Sequence, residues 1–475
     1  MGTIRSRRAR PRRGRPRRPG GAGRAAPTQA RLLALRVLER VERTSSYADR
    51  LLHAQLGHSR LNAADRAFAT DLVNGTLRWR GRLDFLLAQL VERDLEKLEP
   101  MLTNALRIGA YQIVCNDRVP DRAAVDQTVR SVRAAGAEHA TGFVNAVLRR
   151  LAAEHRDMRL PSLETDPLGH LTHALSLPAW LADRWLEQFG PVEAIALAEA
   201  CNRVPPLCVR ANRQRTTRDA LLTELRTRFP GAMPCHFAGD GVVLGHRGHP
   251  GLDPAFLGGR FTVQDEASQL VVAFLDPQPG ERVLDVCSAP GGKATGIAER
   301  MGPGGEVVAL DRNSRRLDLV RRHVRRLGLS DVRCIERDAT QALDNLTPTP
   351  GFDRVLVDAP CSGLGTLRRN PDARWRVRPD DPARLAEVQR TLLLSAAAAL
   401  RPGGVLVYST CTVLPEENEN LVRSFLAEAP GFRRAPTEEV APELHPLLDA
   451  EGTLRVMPHI HDGDGFFAVR MVRVS

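Results

Sequence analysis

The first well-patterned part of the chain carries hydrophobic residues at helical spacing. Leu33, Val37 and Val41 recur every four residues, which places them on one face of a helix. Comparable apolar stripes recur in three further segments, residues 83–90, 102–113 and 125–132. No stretch in this part alternates between apolar and polar residues as a half-buried strand does. The pattern predicts an all-helical domain over residues 28–152.

A hydrophilic stretch then separates this part from a region of mixed pattern. The stretch contains Pro161 and Pro167, which break regular structure and are typical of a linker. Helical and strand patterns follow it in short alternation: helices at 180–189, 195–200 and 218–228, and strands at 207–211 and 241–244. We therefore expect a small α+β domain over residues 170–260.

From Phe261 onward, short apolar runs alternate with helical patterns. The predicted strands are residues 282–285, 306–310, 332–335, 353–357 and 404–408, and the predicted helices are 294–301, 314–327 and 383–400. This alternation predicts a mostly parallel, doubly wound α/β sheet of the Rossmann-like kind over residues 261–475. Sheets of this kind bind ligands at the carboxyl ends of their strands, so the chemistry should lie there.

Charge changes the picture at the N-terminus. The chain of 475 residues has a net charge of +12, and ten of its arginines lie within residues 1–27. This segment is rich in Pro and Gly and poor in apolar residues, which predicts a disordered basic arm. It is either a solvated tail or an arm that binds phosphates without specificity. A transit peptide is a weaker alternative, because Pro and Gly interrupt the helix that it needs.

Composition also excludes several classes of protein. No apolar run approaches the roughly 18 residues of a transmembrane helix, and the eight cysteines lack the dense spacing of a disulfide scaffold. Cys235 lies near His236, His246 and His249, but this group lacks the paired spacing of a zinc site, so loop histidines are the better interpretation. We expect a cytoplasmic monomer without a metal or a membrane partner.

The segment after the first strand of the α/β region carries the clearest motif. Residues 285–293 read Asp-Val-Cys-Ser-Ala-Pro-Gly-Gly-Lys and run directly into a helix. Paired glycines let a ligand approach the backbone, and a helix N-terminus offers free N–H groups to a carboxylate. The motif differs from GxGxxG and Walker loops and resembles the S-adenosylmethionine-binding motif of the RNA 5-methylcytosine methyltransferases. The resemblance implies cofactor-binding roles for Cys287, Ser288, Ala289, Pro290, Gly291, Gly292 and Lys293.

Three further acids close successive strands. For a single aspartate in such a place a helix cap is the usual role, but three of them after a matching first motif favour a ligand site. Asp311 can accept hydrogen bonds from both ribose hydroxyls of a nucleoside. By resemblance, Asp338 contacts the adenine side of the cofactor, and Asp358 contributes to both cofactor binding and catalysis.

Two cysteines follow neighbouring strands and determine the predicted reaction. Cys361 lies in Asp-Ala-Pro-Cys-Ser-Gly and Cys411 in Ser-Thr-Cys-Thr. Carbon 5 of cytosine is a poor nucleophile until a thiolate adds at carbon 6. Resemblance to the RNA enzymes implies that Cys411 is this nucleophile and that Cys361 assists product release. It also places Asp358 at cytosine N3 and Lys293, one of two lysines in the chain, near the reacting base.

The rest of the chain carries further resemblances. Residues 65–67, 75–78, 106–112 and 142–149 resemble the NusB-like RNA-binding domain. Residues 263–265, 368–372 with Trp375, and 464–467 resemble the catalytic domain of the RNA enzymes, where Arg369 could bind phosphate and Trp375 could pack against a base or in the core.

Together these motifs resemble the bacterial 16S ribosomal RNA cytosine-5 methyltransferase B family, also called Sun or Fmu. The resemblance implies methyl transfer from S-adenosylmethionine to carbon 5 of a cytosine in 16S ribosomal RNA, through a covalent cysteine–cytosine adduct. One alternative is the same chemistry on transfer RNA or another RNA. A second alternative is a non-catalytic RNA-binding assembly factor, against which the intact cysteines and glycine motif argue.

Overall fold

The computed structural model describes residues 28–44, 46–92, 94–245 and 250–474. The arginine-rich arm, His246 and His249 lie outside these residues. Within the described ranges, no helix is long and apolar enough to cross a membrane.

The first domain is built from helices alone, as predicted. Its apolar stripes meet in one core that includes Leu35, Leu72, Leu106 and Leu148, each at most 1% exposed. The side-chain oxygen of Asn62 accepts a hydrogen bond from the backbone N–H of Asp65 and so caps the third helix. The helices are α1 (Gln29–Thr44), α2 (Ala48–His58), α3 (Ala63–Arg78), α4 (Arg80–Ala88), α5 (Pro100–Val114), α6 (Asp121–Ala134) and α7 (Thr141–Glu154).

The middle region joins a long kinked helix to a small antiparallel sheet. The kink lies at Gly190, whose φ of 73° is a left-handed conformation that glycine adopts readily, and Pro191 follows it. The elements are α8 (Pro167–Gly169), α9 (Ala179–Asn202), β1 (Leu207–Ala211), α10 (Arg218–Arg226), β2 (Met233–Pro234), β3 (Gly241–Gly245), α11 (Pro254–Leu257) and β4 (Phe261–Val263). The strand order is β2-β3-β1-β4, so β4, just beyond residue 260, still pairs with the middle sheet.

The C-terminal region forms a mixed sheet with helices packed on it. The strands are β5 (Arg282–Asp285), β6 (Glu306–Asp311), β7 (Val332–Glu336), β8 (Phe352–Asp358), β9 (Leu400–Thr410), β10 (Phe432–Arg434), β11 (Leu454–Val456) and β12 (Phe466–Arg473). The helices are α12 (Glu266–Leu275), α13 (Gly292–Met301), α14 (Ser314–Leu327), α15 (Ala373–Arg376), α16 (Asp381–Ala398), α17 (Glu419–Glu428) and α18 (Pro458–His461).

The strand order β10-β12-β9-β8-β5-β6-β7 explains where the site lies. Strands β7, β6, β5, β8 and β9 are parallel neighbours, which confirms the doubly wound α/β prediction. Their carboxyl ends therefore meet along one edge of the sheet. Strand β12 pairs antiparallel with β9, and β10 and β11 pair antiparallel with β12. The sequence pattern did not predict these three strands.

Arg374 joins the three regions in a buried contact. Its side chain is fully buried, and its guanidinium donates to Arg78 O at 3.2 Å, Ser176 O at 3.0 Å and Asn202 Oδ1 at 2.9 Å. These acceptors belong to α3, to the chain before α9, and to the end of α9. Oxygen acceptors from separate parts of the chain thus bond the terminal nitrogens of one buried cation.

Arg210, on β1 of the middle sheet, makes a second buried contact with the catalytic region. It pairs with Glu299 of α13, with N–O distances of 2.9 and 3.0 Å, and donates to Gly292 O at 2.6 Å. The middle sheet is therefore bonded directly to the turn that opens α13.

Candidate active site

The turn between β5 and α13, residues 286–291, leaves its backbone open to a ligand, and we call it the cradle. Gly291 has a φ of 108°, a conformation that disfavours any residue with a Cβ, and a Cβ there would lie 3.1 Å from Cα of Val320. Ser288 fixes the other side of the turn, since its N–H and its hydroxyl donate to Leu310 O at 2.8 and 2.9 Å. Helix α13 begins at Gly292 without a side-chain cap, so its first N–H groups remain available to an anionic ligand.

The other residues of the predicted cofactor motif surround this cradle. Ala289 is buried and Pro290 is exposed, and Ala289 O accepts a hydrogen bond from Arg316 at 2.8 Å. Cys287 packs against the core between the sheet and its helices, and burial raises the pKa of its thiol. The thiol of Cys287 therefore packs in the core. Its position in the turn between β5 and α13 is what places it beside the predicted cofactor site.

Acidic side chains follow the neighbouring strands. Asp311, at the end of β6, is 4% exposed, and its Oδ1 accepts from Asn313 N at 2.9 Å. Asp338, beyond β7, accepts at Oδ1 from the N–H and the hydroxyl of Thr340, at 3.0 and 2.7 Å. These bonds lower the pKa of Asp338. Each carboxylate thus keeps capacity to accept bonds from a ligand along the same edge.

Asp285, the last residue of β5, was not among the predicted site residues. It is fully buried, and neither carboxylate oxygen has a hydrogen-bond partner among the described residues. Burial, with the nearby charge of Asp358, raises the pKa of Asp285 to about 7. An unpartnered buried carboxyl is uncommon, and in the first position of the glycine motif it points to a ligand site.

Lys293 and Asp358 form an ion pair beside the cradle. Lys293 Nζ lies 2.7 Å from Asp358 Oδ2, and Asp358 Oδ1 accepts from the hydroxyl of Ser409 at 2.9 Å. The ammonium group also lies 5.0 Å from the ring centroid of Phe466, on β12, which favours a cation there. The structure thus brings together two of the predicted catalytic residues, from α13 and β8.

The two cysteines meet at the ends of β8 and β9. Cys361 Sγ lies 3.4 Å from Cys411 Sγ and accepts from the Cys411 backbone N–H at 3.3 Å. Both residues are half-buried. The hydrogen bond with the Cys411 thiol, together with burial, raises the pKa of Cys361 well above its usual value. Residues 50 positions apart in the chain therefore place their sulfur atoms side by side.

Arg369 and Trp375, considered for RNA contacts from the sequence, bond to other parts of the protein. Arg369 bonds Asp464 Oδ2 at 2.7 Å and also pairs with Asp265, and these carboxylates raise its pKa. Trp375 donates its indole N–H to Leu77 O at 2.7 Å. Both side chains hold regions of the protein together, which favours the packing alternative for Trp375 and a structural role for Arg369.

No cluster of potential metal ligands occurs in the described ranges. Cys235 is buried, and His236 is exposed beside Phe237.

Comparison with known families matches successive parts of the chain. Residues 28–153 match the NusB family, and residues 177–249 match the family described as Methyltr_RsmF/B-like, ferredoxin-like domain. Residues 272–472 match the family described as 16S rRNA methyltransferase RsmB/F.

Full-length relatives span nearly the same extent. Ribosomal RNA small subunit methyltransferase B of Pseudomonas putida is 36% identical, over 94% of this chain and 98% of its own. Proteins described as probable ribosomal RNA small subunit methyltransferase B are 38% identical in Synechocystis, over 93% of this chain and 99% of their own, and 35% identical in Bacillus subtilis, over 94% and 98%. The chain belongs to the ribosomal RNA small subunit methyltransferase B family. It is a ribosomal RNA methyltransferase that uses S-adenosylmethionine, as the resemblance of its motifs implied.

Solved structures share the fold of this methyltransferase B chain. The structure of PH0851 matches with a TM-score of 0.79 and 26% identity, over 93% of this chain and 99% of its own. A methyltransferase homolog protein from Pyrococcus horikoshii matches with a TM-score of 0.55 and 29% identity, over 65% and 99%. NSun6 from Pyrococcus horikoshii, solved with SFG, has a TM-score of 0.56 and 22% identity, over 63% and 98%, and supports the fold alone.

The residues of this methyltransferase fit its methyl donor. The orphaned carboxyl of Asp285, the open cradle at Gly291 and the free acceptor capacity of Asp311 and Asp338 suit a ligand that carries a cation and hydroxyl groups. The uncapped N-terminus of α13 suits the carboxylate of such a ligand.

Sequence reasoning missed Ser409 and Phe466 as well as Asp285. Ser409 directly precedes the Thr-Cys-Thr segment and Phe466 lies in the Asp-Gly-Phe-Phe segment, so both stand in motifs whose resemblance was recognised. Their roles follow from contacts across the sheet, and these depend on the pairing of β9 with β8 and β12.

Proposed function

We propose that this methyltransferase transfers the methyl group to carbon 5 of a cytosine in 16S ribosomal RNA, through a covalent adduct with Cys411. The observation that carries the proposal is the 3.4 Å separation of Cys361 Sγ and Cys411 Sγ at the carboxyl edge of the sheet. Two adjacent thiols suit a reaction in which one adds to the base and the other assists its departure.

The steps use the residues of this site. Cys411, once deprotonated, forms a bond from Sγ to carbon 6, and carbon 5 becomes nucleophilic. Bound S-adenosylmethionine supplies the methyl group to carbon 5 and leaves as S-adenosylhomocysteine. The carbon-5 hydrogen then passes as a proton to water, and the electron pair of that bond expels the Cys411 sulfur.

Cys361 assists this last step in the proposal. Its raised pKa keeps the thiol protonated at neutral pH, and its sulfur lies at hydrogen-bond distance from the departing Cys411 sulfur. It can therefore donate a proton as the bond from sulfur to carbon 6 breaks.

The proposed contacts with the cofactor and the base come from residues at the carboxyl ends of the parallel strands. We assign residues Cys287 to Lys293, Asp311, Asp338 and Asp358 to S-adenosylmethionine. We assign Asp358 also to cytosine N3, because it ends β8 three residues before Cys361. N3 and an ionised carboxylate are both acceptors, so this contact forms with one proton shared between them. The arm 1–27, the helical domain 28–152 and the middle domain 170–260 would bind RNA, and the domain 261–475 would perform the transfer.

The test compares wild type, Cys361→Ala and Cys411→Ala with an in vitro transcript of 16S ribosomal RNA and labelled S-adenosylmethionine. We expect Cys361→Ala to accumulate a covalent protein–RNA band and Cys411→Ala to form none. The opposite pattern would make Cys361 the nucleophile, and label outside carbon 5 would overturn the mechanism. Transfer only to a transfer RNA transcript would favour that substrate, and no transfer by wild type would favour an assembly factor.

A further inference from the structure

The two cysteine-bearing loops are held by adjacent residues of a third segment. Glu417 and Asn418 lie in the turn that leads into α17 and are 0% and 2% exposed. Neither was assigned a role in cofactor binding or in the reaction. Buried polar side chains in a pocket beside reacting groups usually fix the geometry of those groups.

Glu417 bonds the loop that carries Cys361. Its Oε1 accepts from Ser362 N at 2.9 Å and from Gln389 Nε2 at 2.9 Å, and its Oε2 accepts from the Ser362 hydroxyl at 2.5 Å. Ser362 is the residue directly after Cys361. Burial raises the pKa of Glu417, whereas the bonds from Ser362 and Gln389 lower it. The carboxyl group thus holds the Cys361 loop at the backbone and the hydroxyl of Ser362, and that hydroxyl also bonds the Thr412 hydroxyl of the Cys411 loop at 2.8 Å.

Asn418 bonds the loop that carries Cys411. Its Oδ1 accepts from the Thr410 hydroxyl at 2.5 Å, and its Nδ2 donates to Thr412 O at 3.1 Å. Thr410 and Thr412 are the residues on either side of Cys411. The amide group therefore fixes the backbone from which the Cys411 side chain projects.

We propose that Glu417 and Asn418 are positioning residues with separate tasks, Glu417 for Cys361 during release of the adduct and Asn418 for Cys411 during attack. This inference rests on the proposed function, because it takes the roles of the two cysteines from there. A residue that merely stabilised the fold would, when replaced, impair both steps together. If the two tasks are separate, a substitution of Glu417 should behave like Cys361→Ala and a substitution of Asn418 like Cys411→Ala.

The experiment uses the full chain, the 16S ribosomal RNA transcript and labelled S-adenosylmethionine. Glu417→Ala should lower kcat by about 10- to 100-fold, the loss expected for charge-assisted hydrogen bonds, with KM for RNA unchanged. It should also accumulate the covalent band, as Cys361→Ala does. Asn418→Ala should lower kcat without a band, as Cys411→Ala does. Glu417→Gln should keep most of the activity, because its amide oxygen can accept the bonds from Ser362 N and Gln389.

Controls separate positioning from general damage. Glu419→Ala removes a nearby glutamate that pairs with Arg455 outside this network, and it should keep kcat and show no band. If Glu417→Ala lowers Tm strongly, Ser362→Ala replaces it. It removes the hydroxyl bonds to Glu417 and to Thr412 but keeps the bond from Ser362 N, and it should also accumulate the band. The same band pattern for Glu417→Ala and Asn418→Ala, or a raised KM with kcat unchanged, would overturn the inference. If Cys361→Ala forms no band, the proposed function itself fails.

Discussion

Lys293 Nζ lies 2.7 Å from Asp358 Oδ2, at the point where the first turn of α13 meets the end of β8. The pair joins the cofactor cradle to the edge that carries the cysteines, because Asp358 is also bonded by Ser409 of β9. A compact ammonium fits between a carboxylate and the Phe466 ring, where a planar guanidinium would need more space.

Removing the ammonium should impair transfer. We expect Lys293→Met to lower kcat/KM by about 10- to 100-fold, the loss that accompanies removal of a charge-assisted hydrogen bond. Labelled methyl transfer to RNA measures it. Lys97→Met is the matched control, since Lys97 lies in the helical domain far along the chain from the cradle, and equal losses in both variants would contradict the role of Lys293.

The buried carboxyl of Asp285 should make stability depend on pH. Its pKa of about 7 lies above that of an unfolded aspartate, so the folded state binds the extra proton between about pH 4 and 7. The stability from this group is present at low pH and is lost as the pH rises through 7. Asp285→Asn cannot ionise, so its Tm advantage over wild type should grow from about pH 4 to 7 and level off above that.

Thermal unfolding of both proteins across this pH range checks the prediction. A Tm difference that stays constant with pH would show that Asp285 is ionised throughout. Asp353→Asn is a suitable comparison, because bonds from Arg282 and Arg401 lower the pKa of that aspartate, and its Tm difference should not grow above pH 5.

The buried pair of Arg210 and Glu299 should contribute to stability and to cofactor binding together. Removing one partner of a buried pair typically costs about 3–5 kcal/mol, and Arg210 also bonds Gly292 O in the cradle. Arg210→Met should therefore lower the free energy of unfolding and raise Kd for S-adenosylmethionine. Arg213→Met, which removes a half-exposed pair with Asp240, should cost about 0–1 kcal/mol. Denaturant unfolding and calorimetric titration measure the two effects.

The arginine-rich arm should affect RNA binding rather than chemistry. Deleting residues 1–27 removes ten arginines, so RNA affinity should fall and its salt dependence should flatten by roughly 0.7–0.9 in slope for each phosphate that the arm neutralises. Methyl transfer at saturating RNA should be unchanged. A full-length variant with those arginines changed to glutamine should behave like the deletion, and impaired transfer at saturation would contradict this role of the arm.

The sequence predicted the parts of the fold that local pattern determines. Strand β5 was predicted at residues 282–285, where it lies, because a short apolar run stops at the glycine motif. Strands β10, β11 and β12 were missed, because β12 pairs with β9, and β10 and β11 pair with β12, only in the completed sheet.

The site was predicted wherever a motif carried it and missed where distant residues meet. Arg369 suggested a phosphate contact because nothing local shows that Asp265 and Asp464, 104 and 95 residues away, pair with it. The bond from Ser362 to Glu417 spans 55 residues. Such partners are set by tertiary packing, which a single sequence does not display.

The burial of Arg374 has a consequence for how RNA reaches the cysteines. Its guanidinium contacts α3, the chain before α9, and the end of α9 at once, and burial lowers its pKa to about 10. A rotation of the helical domain against the sheet would remove the Arg78 O acceptor from this buried cation and break the bond from the Trp375 indole to Leu77 O, so such a rotation is unfavourable. Under the proposed function, this contact would hold RNA bound by the helical domain at a fixed distance from Cys411.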